Sequence, residues 1–192
     1  MSDNPPEIEQ LNGADYFIGI VASRYNSDLV DALLDRVVKV LRQHGVRERN
    51  IEVLRVPGAN EIPYAAHMLA ATGQFDCLIA LGVVLAGDTA HHEVISHGVA
   101  YSLHSIGMQS EIPVINGVLT VEKIEQAKER IGAPRDRGAE FARAALQMAW
   151  HKIGLVQRLD ELEEQDEVLG AEDDDDDDDD EGFDPKQLFK NN

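Results

Sequence analysis

Cys77–Leu85 reads CLIALGVVL, nine residues without a charge or a side-chain amide. A strand with one wet face alternates apolar and polar residues, whereas a continuously apolar strand is covered on both faces. Nine residues are too few to cross a bilayer. The run therefore predicts an inner strand of a parallel sheet, and parallel strands need crossover helices between them.

The flanking sequence supplies those helices. Phe17–Ala22 is a short apolar run with β-branched residues and reads as a strand. Ser23–Asn26 follows as a loop, and Ser27 and Asp28 are residue types that cap helix starts. Leu29, Leu33, Val37, Val40 and Leu41 recur at helical spacing up to His44, where Gly45 ends the helix. Ile51–Val56 reads as the next strand, stopped by Pro57-Gly58, with a helix from about Glu61 to Ala71. After Cys77–Leu85 come a Gly87-Asp88-Thr89 turn and a helix from about His92 to Ile106. Val114–Leu119 is the last strand, and Thr120 is expected to cap a helix from about Val121 to Ile131. A loop over 132–136 leads to a final helix from Gly138 to about Leu155.

The pattern predicts an α/β fold: a single three-layer αβα domain around a four-stranded parallel sheet, doubly wound in the flavodoxin-like manner. The expected boundaries are an N-terminal arm over 1–15, the domain over 16–156, a charged helical extension over 157–170 and an acidic low-complexity tail over 171–192. Ligands in such sheets bind beyond the carboxyl ends of the strands. The loops to search are thus Ser23–Asn26, Pro57–Glu61, Ala86–His92 and Thr120.

Charge narrows the function classes. The chain carries 36 acidic and 17 basic residues, a formal net charge of −19. From Asp160 onward there are 17 acidic and two basic residues, including eight consecutive aspartates, Asp173–Asp180. Such a run repels itself and is expected to be disordered. The body is only mildly acidic and lacks the clustered Lys/Arg that a phosphate backbone requires, so no nucleic-acid partner is expected. The single cysteine, Cys77, excludes an internal disulfide framework and a cysteine-based zinc site. The opening residues predict no secretory leader. A cytoplasmic protein without a membrane partner is the expectation.

Gly82-Val-Val-Leu-Ala-Gly87-Asp88-Thr89 has the spacing of a P-loop, but Asp88 stands where its lysine would be, the wrong sign for a nucleotide. A glycine turn whose N–H groups cradle one phosphate is what survives, and taken alone it reads as a plain βα turn capped by Asp88 or Thr89. His92 and His97 diverge around their helix, and His97 and His104 lie about 10 Å apart along its axis, so no metal site is expected. His91 and His92 follow a strand's carboxyl end, where an imidazole can move protons near neutral pH. Arg130, Arg135 and Arg137 offer guanidinium forks for an anion. Glu61 reads as a first-turn dipole partner, and Tyr25 as an exposed ring able to stack.

The motifs then fall into one order: Val56-Pro57-Gly58-Ala59-x-Glu61-Ile62-Pro63, Gly82-Val83-Val84-x-x-Gly87-Asp88-Thr89-x-His91-x-Glu93, Pro113-Val114-x-x-Gly117-Val118-Leu119-Thr120, Glu125-Gln126-Ala127-x-Glu129-Arg130-x-Gly132 and Arg137-Gly138-Ala139-Glu140. Over roughly residues 16–155 the chain resembles the 6,7-dimethyl-8-ribityllumazine synthase family of riboflavin biosynthesis. The resemblance implies condensation of 5-amino-6-(ribitylamino)uracil with 3,4-dihydroxy-2-butanone 4-phosphate, giving the lumazine, phosphate and water without metal or cofactor. It implies His91 as the proton-transfer residue, and Gly87, Asp88, Thr89 and Arg130 as ligands of the butanone phosphate. It implies Tyr25, Ala59, Asn60, Glu61, Val83, Val84, Asn116 and Arg137 as the lining for the ribitylaminouracil.

Some positions depart from the family pattern. Tyr25 stands for a stacking Phe and Arg137 for a Lys. Asn60 replaces a Phe, Ala86 an Arg, and Asn116 an aromatic that the family draws from a neighbouring subunit. Each lost aromatic wall removes a stacking contribution of about 1 kcal/mol. These departures motivate an alternative, a structural shell or flavin-binding protein of the same fold with reduced catalysis. The family also implies a homopentamer with sites between adjacent subunits, in some members a shell of sixty chains, and riboflavin synthase as the candidate protein partner.

Overall fold

The computed structural model describes residues 12–173, with side chains described through Gln165. The first eleven residues of the expected arm, and the acidic tail beyond Asp173, lie outside the described residues. Two compact units divide the chain, one ending at Ile153 and one beginning at Gly154. The first is an alternation of β1 (Ile18–Ser23), α1 (Ser27–Gln43), β2 (Ile51–Val56), α2 (Ile62–Ala70), β3 (Cys77–Leu85), α3 (His91–Ser110), β4 (Val114–Val121), α4 (Ile124–Ile131) and the first part of α5 (Arg137–Asp173). In the second unit α5 continues, with Leu155, Val156, Leu159 and Leu162 exposed along it. No described helix is long and apolar enough to cross a membrane.

The four strands are all parallel, in the order β2-β1-β3-β4. β3 sits inside and is buried along all but its last residue, as its apolar run requires. Its side chains alternate between two cores: Cys77, Ile79, Leu81 and Val83 face one, with α1 and α5 residues, while Leu78 and Ala80 face the other, with α2 and α3 residues. The chain moves outward from β1 to β2 and then crosses β1 to reach β3. This reversal makes the gap between β1 and β3 the topological switch point, the place where such folds bind ligands. Gly117 is required at the middle of β4, because a Cβ there would lie 2.7 Å from the Ala80 carbonyl. Gly45 leaves α1 at φ +91°, a conformation open to glycine at little cost.

Several local expectations are corrected. α1 does not use Ser27 or Asp28 as its cap; the cap position is Asn26, in the left-handed region at φ 54°, and its side chain goes elsewhere. Thr120 does not cap α4. β4 runs two residues past Leu119, and Gln126 Oε1 accepts from the Glu122 and Lys123 backbone N–H groups to start the helix at Ile124. The tertiary pairing Val84↔Thr120 and Leu85↔Val121 prolongs the strand where local propensity alone suggests a cap. α3 persists to Ser110, beyond the expected end near Ile106. The final helix is one continuous element from Arg137, merging the expected helix and its charged extension. Of the expected arm, Gly13 is tied down, donating to the His44 carbonyl at 2.7 Å.

Candidate active site

The loops at the carboxyl ends of β1, β2 and β3 are stitched together. After β1, the Arg24 N–H donates to the Val56 carbonyl at 2.9 Å and the Tyr25 N–H to the Pro57 carbonyl at 3.2 Å. Asn26 Nδ2 donates to the Val83 carbonyl at 2.8 Å, joining this loop to the end of β3. The sequence reading treats Asn26 as one loop residue among four. Its signal is that asparagine tolerates the left-handed region directly before a helix. Tyr25 is 73% exposed and stands beside Gly58, whose Cβ position lies 3.4 Å from the ring.

After β2, Glu61 Oε2 accepts from the Gly58 N–H at 2.8 Å and closes the short turn Ala59–Glu61 that leads into α2. Ala59 is half-buried and Asn60 is exposed. Val83 and Val84 are buried at the end of β3 and, as neighbours in a strand, point to opposite faces of the sheet. Ser23, the last residue of β1, is fully buried, and its Oγ finds no partner.

The turn after β3 is open. Gly87, Asp88 and Thr89 are exposed, and a Cβ at Gly87 would meet nothing within 4 Å. Successive exposed N–H groups before a helix start suit an anion. Just ahead of α3, Thr89 Oγ1 accepts from the His91 N–H at 3.4 Å. His91 is the first residue of α3 and is exposed. The half-buried His92 turns back, its Nδ1 3.0 Å from the Thr89 carbonyl. A carbonyl only accepts, so in this hydrogen bond Nδ1 is the donor.

The remaining predicted residues belong to β4, α4 and α5. The Pro113 and Val121 carbonyls accept from the Leu78 and Ala86 N–H groups, at 2.8 and 2.9 Å. Main-chain direction alternates along a strand, so Asn116, Val118 and Thr120 turn theirs to the free edge, away from β3. Arg130 donates through Nη1 to the Thr120 carbonyl at 2.9 Å, and Asn116 Oδ1 accepts from the Val118 N–H at 3.0 Å. Arg137 opens α5 and pairs with Glu140. Thus Tyr25, Ala59, Asn60, Glu61, Val83, Val84, Gly87, Asp88, Thr89 and His91 gather at the carboxyl ends of the first three strands. Asn116 and Arg130 are engaged along the outer edge of β4.

Cys77 lies fully buried in β3, and burial pushes its thiol well above the usual range, so it takes no part in this chemistry. Among the described residues, no three His, Cys, Asp or Glu side chains form a group able to hold a metal ion.

A family model described as 6,7-dimethyl-8-ribityllumazine synthase matches residues 15–152. Three curated proteins, each named 6,7-dimethyl-8-ribityllumazine synthase, are similar over most of the chain. The protein of Nitrosospira multiformis is 41% identical over 163 residues, covering 84% of this chain and 98% of its own. That of Nitrosomonas europaea is 42% identical, covering 84% and 95%. That of an Azoarcus species is 41% identical over 148 residues, covering 77% and 93%.

Proposed function

The chain belongs to the 6,7-dimethyl-8-ribityllumazine synthase family, and from that premise we propose how its residues divide the work. The enzyme is a transferase that condenses 5-amino-6-(ribitylamino)uracil with 3,4-dihydroxy-2-butanone 4-phosphate. The 5-amino group adds to the ketone and forms an imine with loss of water. Deprotonation next to the imine expels phosphate. The elimination leaves an enol, which tautomerises by a proton shift from its oxygen to the terminal carbon and so creates a new ketone; the ribityl-bearing nitrogen closes on that ketone, and a second water leaves. Each step moves a proton between carbon, nitrogen or oxygen atoms, so positioning and a well-placed base supply most of the gain.

We assign the proton transfers to His91. Gly87, Asp88 and Thr89 take the butanone phosphate on their backbone N–H groups, and Arg130 supplies the cation. Tyr25 stacks on the pyrimidine beside the end of β3, where Val83 and Val84 lie. Ala59, Asn60 and Glu61 line the ribityl chain, with Asn116 and Arg137 completing the pocket. The observation that carries the assignment is His91 itself, exposed at the first position of α3 directly after the exposed Gly87–Thr89 turn.

We further propose that the working unit is a homopentamer, with each site shared between adjacent copies. Support comes from the outward placement of Asn116 and Arg130 on the free edge of β4, where a second copy can meet them. Some members of the family close into shells of sixty chains; sedimentation against the 21.2 kDa chain separates the two states. We place the enzyme in the cytoplasm, with riboflavin synthase as the consumer of its product. No observation favours the alternative of a shell or flavin-binding protein with reduced catalysis.

The test is a steady-state assay with both substrates, following lumazine absorbance. Turnover must vanish without the butanone phosphate. Arg130→Ala is expected to raise the KM for that substrate by about tenfold or more, as loss of a charge-assisted bond of roughly 1.5–3 kcal/mol implies. An unchanged KM would count against the phosphate assignment.

A further inference from the structure

We propose that His92 is a positioning residue for the anion turn: its ring fixes the Thr89–Ala90 peptide so that the Ala90 N–H joins those of Gly87, Asp88 and Thr89 as a donor to the butanone phosphate. This rests on the reading that the turn binds that phosphate. Every group involved lies on one copy of the chain, so the role is the same whichever copy supplies Arg130. The proton transfers are assigned to His91 alone, and the second histidine after β3 acts through the turn instead.

Among the described residues, no hydrogen bond occupies the N–H groups of Gly87, Asp88, Thr89 or Ala90. The run is bounded by Ala86, whose N–H donates to the Val121 carbonyl at 2.9 Å, and by His91, whose N–H reaches Thr89 Oγ1 at 3.4 Å. Successive free donors before a helix suit an anion only while they face it. The Thr89 carbonyl sits among them, and no backbone N–H of the described residues reaches it. The first bonds of α3, from Glu93 at 3.0 Å and Val94 at 3.4 Å, both go to the Ala90 carbonyl. The partner of the Thr89 carbonyl is His92 Nδ1, at 3.0 Å. In a trans peptide such as Thr89–Ala90, the C=O and the following N–H point to opposite sides of one plane. Holding the carbonyl toward the His92 ring therefore holds the Ala90 N–H away from it.

The turn needs this support. It is exposed from Gly87 to Ala90, a Cβ at Gly87 would meet nothing within 4 Å, and Ala90 has no side-chain hydrogen bond to offer. Rotation about the bonds on either side of the Thr89–Ala90 peptide would exchange its two ends. The carbonyl oxygen would then face the phosphate, replacing an attraction by a repulsion. The His92 ring opposes that rotation from a fixed base. His92 is half-buried in the first turn of α3. Its own carbonyl accepts from Ser96 Oγ at 2.7 Å, a hydroxyl that receives Thr120 Oγ1 of β4 at 2.7 Å. Groups that bind one small anion must hold their geometry within about 0.5 Å, so one well-placed hydrogen bond behind the turn is felt in front of it.

The experiment compares His92→Phe and His92→Leu, which remove the donor, with His92→Asn, whose side-chain amide nitrogen can stand where Nδ1 stands. The readouts are kcat, the KM of each substrate, and the inhibition constant of inorganic phosphate competing with the butanone phosphate. Each donor-free variant is expected to raise the phosphate inhibition constant and the butanone phosphate KM roughly three- to tenfold, the worth of one neutral hydrogen bond. Both kcat and the KM for the ribitylaminouracil should stay within about twofold, because the bond shapes the binding of one substrate and not the chemical step. His92→Asn should restore both phosphate values, whereas a ring that only packs would be replaced by Phe and not by Asn. Should one donor-free variant fail to fold, the other carries the test. If Arg130→Ala weakens phosphate but the donor-free variants do not, or if Asn fares no better than Phe, the positioning role falls. If Arg130→Ala and the donor-free variants all leave phosphate binding unchanged, the assignment of the phosphate site falls first and takes the role of His92 with it.

Discussion

At the scale of single residues, His91 and Asn26 show two ways in which a site depends on a side chain. His91 is exposed on the first turn of α3 and makes no hydrogen bond through its ring among the described residues, so its removal leaves the fold's contacts intact. His91→Ala is therefore expected to lower kcat by about 10²–10⁴-fold if proton transfer limits the rate, with an unchanged melting temperature and oligomer size. A loss of assembly would show that the residue is structural. Asn26 is the converse. It holds a left-handed conformation and ties the loop after β1 to the Val83 carbonyl. Asn26→Ala forfeits that bond and strains the backbone, a combined cost of about 2 kcal/mol. Asn26→Gly relieves the strain but not the lost bond, so thermal unfolding should rank wild type above Gly and Gly above Ala. An Ala variant as stable as wild type would remove this account.

Individual elements were legible in proportion to how local their causes are. β2 and β3 fall where the apolar runs place them, because turn residues bound both and burial covers β3 on both faces. The end of β4 was not legible, because its last pairs, Val84↔Thr120 and Leu85↔Val121, depend on a strand thirty-six residues away. The candidate site divides in the same way. The loops bearing Tyr25, Glu61 and His91 could be located from the strand ends, whereas the Ser96–Thr120 and Asn26–Val83 bonds join segments that no spacing rule connects. The entry into α5 depends on a similar distant partner. Asp136, at φ 39°, accepts from Arg36 Nε at 2.8 Å and from the Ala139 N–H at 3.3 Å, coupling the 132–136 loop to α1. The Arg36 guanidinium holds the Asp136 carboxyl below the usual carboxylate range. A carboxylate whose pKa is depressed by folding stabilises the native state above its unfolded pKa, near 3.9, and that contribution is lost as pH falls through the folded value. Asp136→Asn is thus expected to lower the melting temperature at pH 7, with the gap from wild type closing below about pH 4. A gap that stays constant across that range would mean the carboxylate's charge is not what matters.

For the whole molecule, the main asymmetry is charge. Residues 160–192 hold 17 of the 36 acidic side chains against two of the 17 basic ones, so most of the net charge of −19 sits beyond the catalytic unit. The family match ends at residue 152, before this segment begins. Every residue assigned to the reaction precedes Gly154, where the second compact unit starts. Catalysis should accordingly be separable from the acidic run. We predict that a chain ending at residue 170 keeps wild-type kcat and KM. Local attraction of cations is the property that the run adds: charges this dense act over a Debye length of about 8 Å at physiological salt, and an assembly multiplies them. The full chain should bind a cationic probe such as poly-lysine, with affinity falling steeply between about 50 and 200 mM salt. The shortened chain should bind it far more weakly at every salt concentration, because its body is only mildly acidic. Equal binding by both chains would mean that the body, and not the aspartate run, makes the field. A shortened chain with impaired turnover would instead draw residues beyond 170 into the catalytic unit.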